Sequence, residues 1–238
     1  MLIGPYVNGA AVIMGGLLGA LASSTISERV KSSLPLIFGL CSVGLGINLV
    51  IKVQFMPAVV LAMIIGTAIG EILYVERGIG KAAGSTRSLI NTFLPPVKGL
   101  TQDAFTEKFV AILVLFCASG TGVFGAMHEG MTGDPSILYI KTVLDFFTSG
   151  IFATMLGFAV MTIGLPLIFI QVALAMLASL ILPMITSAMM ADFSCAGGLL
   201  MVATGLRICN IKTFPVANML PALVLVMPLS WLWAHFIG

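Results

Sequence analysis

Residues 165–183 read LPLIFIQVALAMLASLILP, an apolar run that contains no charged side chain. A helix of about 20 predominantly apolar residues can cross the hydrocarbon core of a bilayer, because it satisfies its backbone hydrogen bonds internally. The run therefore predicts a membrane-spanning helix.

Seven further apolar stretches accompany this run, at residues 3–22, 34–51, 56–75, 108–127, 138–162, 190–209 and 215–237. Only 8% of all residues are charged and the mean hydropathy is +1.16, whereas soluble proteins carry about 25% charged residues. The sequence predicts an all-α, polytopic membrane protein of about eight spans, forming one membrane domain over residues 1–238. Several stretches are glycine-rich, which favours close helix packing and one or more interrupted helices.

Several classes of function have no support in the sequence. The net charge of +2 is small and the basic residues are scattered, which argues against a nucleic-acid partner. Gly78-Ile79-Gly80-Lys81 is followed by alanine, so the phosphate-loop pattern fails, and no nucleophile and base are paired in a known motif. No metal or cofactor is expected, since four cysteines without a C-x-x-C pair read as reduced packing residues: Cys41, Cys117, Cys195 and Cys209.

The distribution of basic residues predicts the orientation of the spans, because lysine and arginine near short loops stay in the cytoplasm. If eight spans alternate from an outer N-terminus, only Lys52 and Lys141 fall on the outer side. Nine fall inside: Arg29, Lys31, Arg77, Lys81, Arg87, Lys98, Lys108, Arg207 and Lys212. Both termini are therefore predicted to be periplasmic. The first segment lacks the basic start of a signal peptide and is expected to remain as a span.

The longest polar stretch, residues 76–107, predicts a cytoplasmic amphipathic connection. Within residues 85–97, apolar side chains recur at helical spacing opposite Arg87, until Pro95 and Pro96 end the pattern. Residues 86–94 fit a helix that lies on the inner surface of the membrane. A helix packed against the ends of the bundle fits the pattern equally well.

Lys141 and Asp145 are the principal functional candidates, because charge inside hydrocarbon is costly. They stand four residues apart in the fifth span, so a helix places both on one face, about one turn below the outer surface. One interpretation is an ion-binding or proton-relay pair that lines a polar path. The other is a self-neutralising pair whose lysine reaches the interface.

Four other residues could line a substrate or ion path. Asn8 follows Pro5 in the first span, where an irregular helix would leave carbonyl groups free, although the amide could equally join two helices. Gly120 and Gly122 could unwind the fourth span and expose backbone carbonyls, or could simply allow tight packing. Glu71 could bind a cation beside a small-residue face, but its position favours contact with water at the cytoplasmic end.

The remaining polar residues are expected at the surfaces of the protein. His128, Glu129 and Asp134 have no metal-ligand spacing and are predicted to lie in a solvated external loop. Asp192 is predicted at the outer surface and Arg207 at the inner one.

The chain resembles the YqgA-type bacterial inner-membrane proteins, a family named as a domain of unknown function (554), over nearly its full length. The resemblance rests on Asn8-Gly9 with Gly15-Gly16 and Gly19, Asp134 in the Gly130 to Pro135 loop, Lys141 with Leu144-Asp145, and Gly197-Gly198 followed by Gly205-Leu206 and Leu220-Pro221-Ala222-Leu223. It implies a multi-pass protein of the bacterial cytoplasmic (inner) membrane, for which transport is commonly supposed. Family members usually have a Gly-Pro turn where this chain reads Ser119-Gly120-Thr121-Gly122.

Two functions are compatible with these features. A channel or secondary transporter for a small polar solute or ion would explain the intramembrane polar residues and the interrupted helices together. The alternative is a non-transporting scaffold or sensor that pairs with a second copy or a partner through its glycine-rich helix faces. The lipid bilayer is the partner expected in either case.

Overall fold

The computed structural model describes residues 2–85, 101–117 and 119–237, which fold almost entirely as helices. The α-helices are α1 (Gly4–Leu21), α2 (Glu28–Val50), α3 (Met56–Ile72), α4 (Val75–Ser85), α5 (Gln102–Cys117), α6 (Gly120–Thr132), α7 (Ser136–Leu156), α8 (Gly164–Ile181), α9 (Ser187–Ile208), α10 (Val216–Met219) and α11 (Pro221–Phe236). Short 3-10 helices cover Gly157–Ile163 and Leu182–Met184. The predicted all-α membrane class is confirmed.

Within the described residues, six helical stretches are long and apolar enough to cross a membrane, or seven with α3 and α4, which meet at 47°. The predicted count of eight is therefore approximate. One of the six stretches, Ser136–Ile181, has 46 residues, more than twice the roughly 20 that one crossing needs. It contains α7, the 3-10 helix Gly157–Ile163 and α8.

Contacts with α1 show that this long stretch reverses its direction. Gly4 of α1 lies against Leu138 and Gly19 lies against Gly150, so α7 runs in the same direction as α1. Gly16 lies against Met161, whereas the earlier Gly9 lies against Gly164 and Ile168, so the chain returns along α1 in the opposite direction. The reversal follows Gly157, whose φ of +62° is a conformation that glycine adopts without strain.

Glycines set the spacing between α1 and its neighbours. A Cβ at Gly15 would overlap the backbone carbonyl of Phe146, and a Cβ at Gly19 would overlap that of Gly150. Such close backbone approach is the usual basis of helix association in membranes, where apolar side chains gain nothing by leaving lipid. The first bundle consists of α1, α5, α7, α8 and the 3-10 helix between α7 and α8; its buried core includes Val12, Phe105, Leu156 and Leu167.

A second bundle consists of α2, α3, α9, α10 and α11. Helices α2 and α9 are antiparallel, because Gly39 lies against Gly205 and Gly46 lies against Gly198. Helices α3 and α11 are also antiparallel, since Gly66 packs against Ala222 and Gly70 against Asn218, just before α11. Helix α6 lies between the two bundles and contacts α7, α8 and α9.

Both described chain ends lie at one face of the molecule, called here the terminal face. Helices α6 and α9 are antiparallel, since Gly120 lies against Thr204 and Gly197 against Phe124. The end of α6 therefore lies level with the start of α9. The N-terminus of α1 donates a hydrogen bond to Glu129 near the end of α6, and Ser230 of α11 donates one to Asp192 near the start of α9.

The structure refines two local predictions. The helix is interrupted before the glycine run rather than within it, because Ser119 has an extended backbone and α6 begins at Gly120. Helix α6 then continues to Thr132, so Glu129 belongs to a helix and not to the predicted external loop. Helices α4 and α5 occupy the two ends of the connection 76–107, and the predicted interfacial helix at 86–94 lies outside the described residues.

Candidate functional site

Lys141 and Asp145 lie together on α7, as their spacing predicts. Lys141 Nζ is 2.5 Å from Asp145 Oδ2, and the two residues are only 4% and 7% exposed. The lysine ammonium also lies 5.8 Å from the centre of the Phe116 ring on α5. The pair is therefore enclosed by protein, and its lysine does not reach the membrane surface.

Two amide side chains adjoin the ion pair from other helices. Asn8 of α1 donates from Nδ2 to Oε1 of Gln171 on α8, at 3.4 Å. Both amide residues are buried. Gln171 is not among the predicted site residues, although it is the one amide in the run 165–183.

The start of α6 completes this polar region. Ser119 precedes the helix and its Oγ accepts the Gly122 N–H at 3.1 Å, which caps the helix N-terminus. Gly122 faces Lys141 and Gln171, whereas Gly120 packs against Leu200 and Thr204 of α9. Gly120 and Gly122 thus allow close packing at the start of α6. Their place in a substrate or ion path stays a prediction.

The ion pair opens on a central cavity of about 50 Å³. The cavity lies between α2, α7, α9 and the break between α5 and α6. Its polar lining consists of hydroxyl groups and the ion pair: Ser42, Ser119, Thr121, Thr148, Thr204, Lys141 and Asp145. Neither Asn8 nor Gln171 is among the residues that line it.

Two larger cavities flank the central one. One, of about 190 Å³, lies toward the terminal face and is lined by polar residues that include Asn48, Lys52, His128 and Asp134. The other, of about 490 Å³, lies toward the opposite face and shares Leu115, Ser119, Thr204 and Ile208 with the central cavity. The central cavity and the cavity of about 490 Å³ are therefore contiguous.

The three cavities follow the same helix faces in the same order. The cavity toward the terminal face is called here the outer cavity, and the one toward the opposite face the inner cavity. Along α2, the outer cavity contacts Asn48, the central one Ser42 and the inner one Pro35. Along α9 the corresponding residues are Met201, Thr204 and Arg207. The cavities thus form a column along the junction of the two bundles, with the Lys141–Asp145 pair near its middle.

Two acidic residues expected at the surface are instead buried helix caps. Glu129 is 1% exposed, and its Oε1 accepts the backbone N–H groups of Ile3 and Gly4 at 2.8 and 3.0 Å. Asp192 is fully buried, and its Oδ1 accepts those of Gln54 and Phe55, both at 2.8 Å. Each carboxylate satisfies the free N–H groups at the start of a helix, α1 or α3, which explains why burial is tolerated.

The inner cavity is bordered by a polar cluster. Arg207 donates to Glu76 Oε1 at 2.7 Å and to the Phe214 carbonyl at 3.1 Å, and its side chain is 39% exposed near the end of α9. Asn218 Oδ1 accepts the Glu76 N–H at 2.6 Å. Glu71 does not join this cluster: it is exposed on α3 and lines none of the three cavities.

Comparison with known proteins identifies relatives over the full length. Residues 3–231 match the family described as "Protein of unknown function (DUF554)". The chain is 56% identical to the uncharacterized protein YqgA of Escherichia coli (strain K12), over 98% of each chain. It is 25% identical to the uncharacterized membrane protein YdfK of Bacillus subtilis (strain 168), over 100% of this chain and 99% of the other. No solved structure matches. These matches, together with the apolar helices, show that the chain is a multi-pass membrane protein that belongs to the DUF554 family.

Proposed function

We propose that this protein is a channel or secondary transporter for a small polar solute or ion. The observation that carries the proposal is the column of three cavities along α2, α7 and α9, with a buried ion pair near its middle. Ionisable residues inside a membrane protein usually mark a substrate or ion path, since burying them without a role is costly. The helix interruption at Ser119, just before α6, is also typical of transporters, whose interrupted helices adjoin the bound solute.

The scaffold alternative has less support. Its main argument is the set of glycine faces, but the glycines of α1, α3 and α9 contact other helices of the same chain: Gly9, Gly15, Gly16, Gly19, Gly66, Gly70, Gly197, Gly198 and Gly205. Their small size is therefore explained without a second copy or a partner.

The proposed location is the bacterial cytoplasmic membrane, with the terminal face in the periplasm. Among the described residues, Arg29, Lys31, Arg77 and Lys81 lie in or near the connections at the opposite face. That bias favours a cytoplasmic position for the opposite face. The large inner cavity would then open toward the cytoplasm.

A flux experiment tests the proposal. Purified full-length protein in liposomes would be compared with empty liposomes for the release of nitrate, guanidinium and urea, three planar solutes of similar size and different charge. Ile208→Trp should lower the flux several-fold, because Ile208 lines both the central and the inner cavity. Ile211→Trp is the matched control, since Ile211 is 69% exposed. Absence of flux for all three solutes, or equal flux in both variants, would contradict the proposed path.

A further inference from the structure

Polar side chains from three parts of the chain meet at Gly122. A Cβ built on this glycine would lie 2.8 Å from Lys141 Cε, 2.9 Å from Ser119 Oγ and 3.4 Å from Gln171 Nε2. Lys141 lies on α7 and Gln171 on α8, whereas Ser119 immediately precedes α6. The missing side chain at position 122 lets them converge on the first turn of α6.

That turn carries its own positive potential. The first N–H groups of an α-helix have no acceptor within the helix, and the helix dipole places partial positive charge at the same end. Ser119 Oγ accepts one of these groups, from Gly122, whereas the Gly120 and Thr121 amides precede it in the turn. Because Ser119, Gly120 and Thr121 are buried, this potential is not screened by bulk water.

Gln171 supplies a second and independent indication of a ligand. The residue is 1% exposed, its Oε1 is occupied by Asn8, and its Nε2 is buried without a hydrogen-bond partner. Buried amide groups are normally paired. The Gln171 N–H₂ group lies near the first turn of α6 and near Lys141, where a bound ligand could supply the missing hydrogen-bond acceptor.

The side chains that line the central cavity leave hydrogen-bond donors free for a ligand that carries an acceptor. Lys141 and Asp145 are the charged residues among those lining the central cavity, and one ammonium proton is used by Asp145 Oδ2. Lysine has three donors, so others remain for a ligand. Ser42 and Thr204 give their hydroxyl protons to the carbonyls of Met201 and Leu200, so their oxygens can accept hydrogen bonds from water or from an N–H group of a solute.

We propose that the first turn of α6, Lys141 and Gln171 form a binding subsite for a small monovalent anion, such as an inorganic oxyanion or the carboxylate of a small organic acid. The inference rests on the proposed solute path and assigns the charge class of its substrate. Helix N-termini bind anions through their free N–H groups, and the lysine adds a full positive charge. The adjoining central cavity is lined by Ser119, Thr121 and Lys141 but not by Gln171, and its volume of about 50 Å³ restricts the bound group to a few heavy atoms.

The first test is the charge selectivity of binding to the full-length protein. Isothermal titration in detergent would compare nitrate, guanidinium and urea, with nitrate standing for the anion. We expect nitrate to bind and guanidinium not to bind. Binding of guanidinium in place of nitrate would overturn the inference, and this readout needs no variant.

The second test changes the donor at position 171. Gln171→Glu keeps the shape of the side chain but replaces the N–H₂ group with a carboxylate oxygen. Nitrate affinity should fall by about tenfold or more, the usual effect of losing a hydrogen bond to a charged group. Gln54→Glu is the matched control, because its side chain is exposed. Unchanged nitrate affinity in Gln171→Glu would overturn the inference.

The third test fills the space in which the donors meet. Gly122→Ala should weaken nitrate binding, since the new methyl group would displace the Lys141 and Ser119 side chains. Gly44→Ala adds the same methyl group to α2, where it would meet nothing within 4 Å. Equal affinities in the two variants would place the anion elsewhere and overturn the inference.

Binding and flux together separate the inference from the proposed function. Nitrate binding with the expected variant effects, but without flux of any solute, would retain the anion subsite and remove the transport role. Flux of urea or guanidinium without nitrate binding would retain the path and remove the anion subsite.

Discussion

Glu129 holds the start of the chain, because its Oε1 accepts the Gly4 N–H at 3.0 Å across 125 residues of sequence. The same oxygen accepts the Ile3 N–H, and the residue is buried. A side chain late in α6 therefore fixes the N-terminus of α1 against α6.

We expect Glu129→Ala to lower the free energy of unfolding by about 1–3 kcal/mol, since buried N–H groups would lose a charged acceptor. Glu129→Gln retains an amide oxygen and should lose less. Thermal unfolding of the purified protein measures both changes. Glu71→Ala is the control on an exposed glutamate, and an equal loss there would show that the effect does not come from the cap.

Neutralising either member of the ion pair should destabilise the protein. Lys141→Met or Asp145→Leu leaves one buried charge without its partner, which typically costs about 3–5 kcal/mol. The double variant removes both charges, so its folded yield should largely return. Size-exclusion chromatography of the four proteins measures this yield. Additive losses in the double variant would mean that the two side chains do not stabilise each other.

Asp134 gives the protein a pH-dependent cap at the start of α7. Its Oδ1 accepts the Ser136 hydroxyl and backbone N–H at 2.5 and 3.0 Å, and these hydrogen bonds lower the pKa of Asp134. Since the folded pKa is below that of the unfolded chain, the stabilisation is complete above about pH 4. It is lost as the pH falls through the folded pKa.

We expect Ser136→Ala to raise the pKa of Asp134 part of the way toward its ordinary value, because the backbone N–H remains. Carboxyl titration by NMR measures the pKa directly. A pKa that is the same in both proteins would show that the hydroxyl does not bind the carboxylate.

The orientation predicted from the basic residues can be measured in cells. Both chain ends lie at the terminal face, so both should be periplasmic. A C-terminal reporter that is active only outside the cytoplasm should therefore give signal. Signal from a reporter that works only in the cytoplasm would reverse the orientation, and with it the assignment of the inner and outer cavities.

Several features of this protein follow from the sequence alone, because they depend on composition and on local geometry. Runs such as 165–183 predict helices of membrane length wherever they occur in the fold. The pairing of Lys141 with Asp145 is equally local, since a separation of four residues places both side chains on one helical face.

The tertiary structure decided which residues join that pair and which do not. Asn8 and Gln171 are 163 residues apart, and their contact depends on how α1 and α8 cross. Glu129 and Asp192 were expected in water but cap other helices, whereas Glu71 remains exposed. Hydropathy cannot make these distinctions, because lipid tails and a protein interior are equally apolar. The close packing of glycine faces settles which side of α1, α3 and α9 is buried in protein.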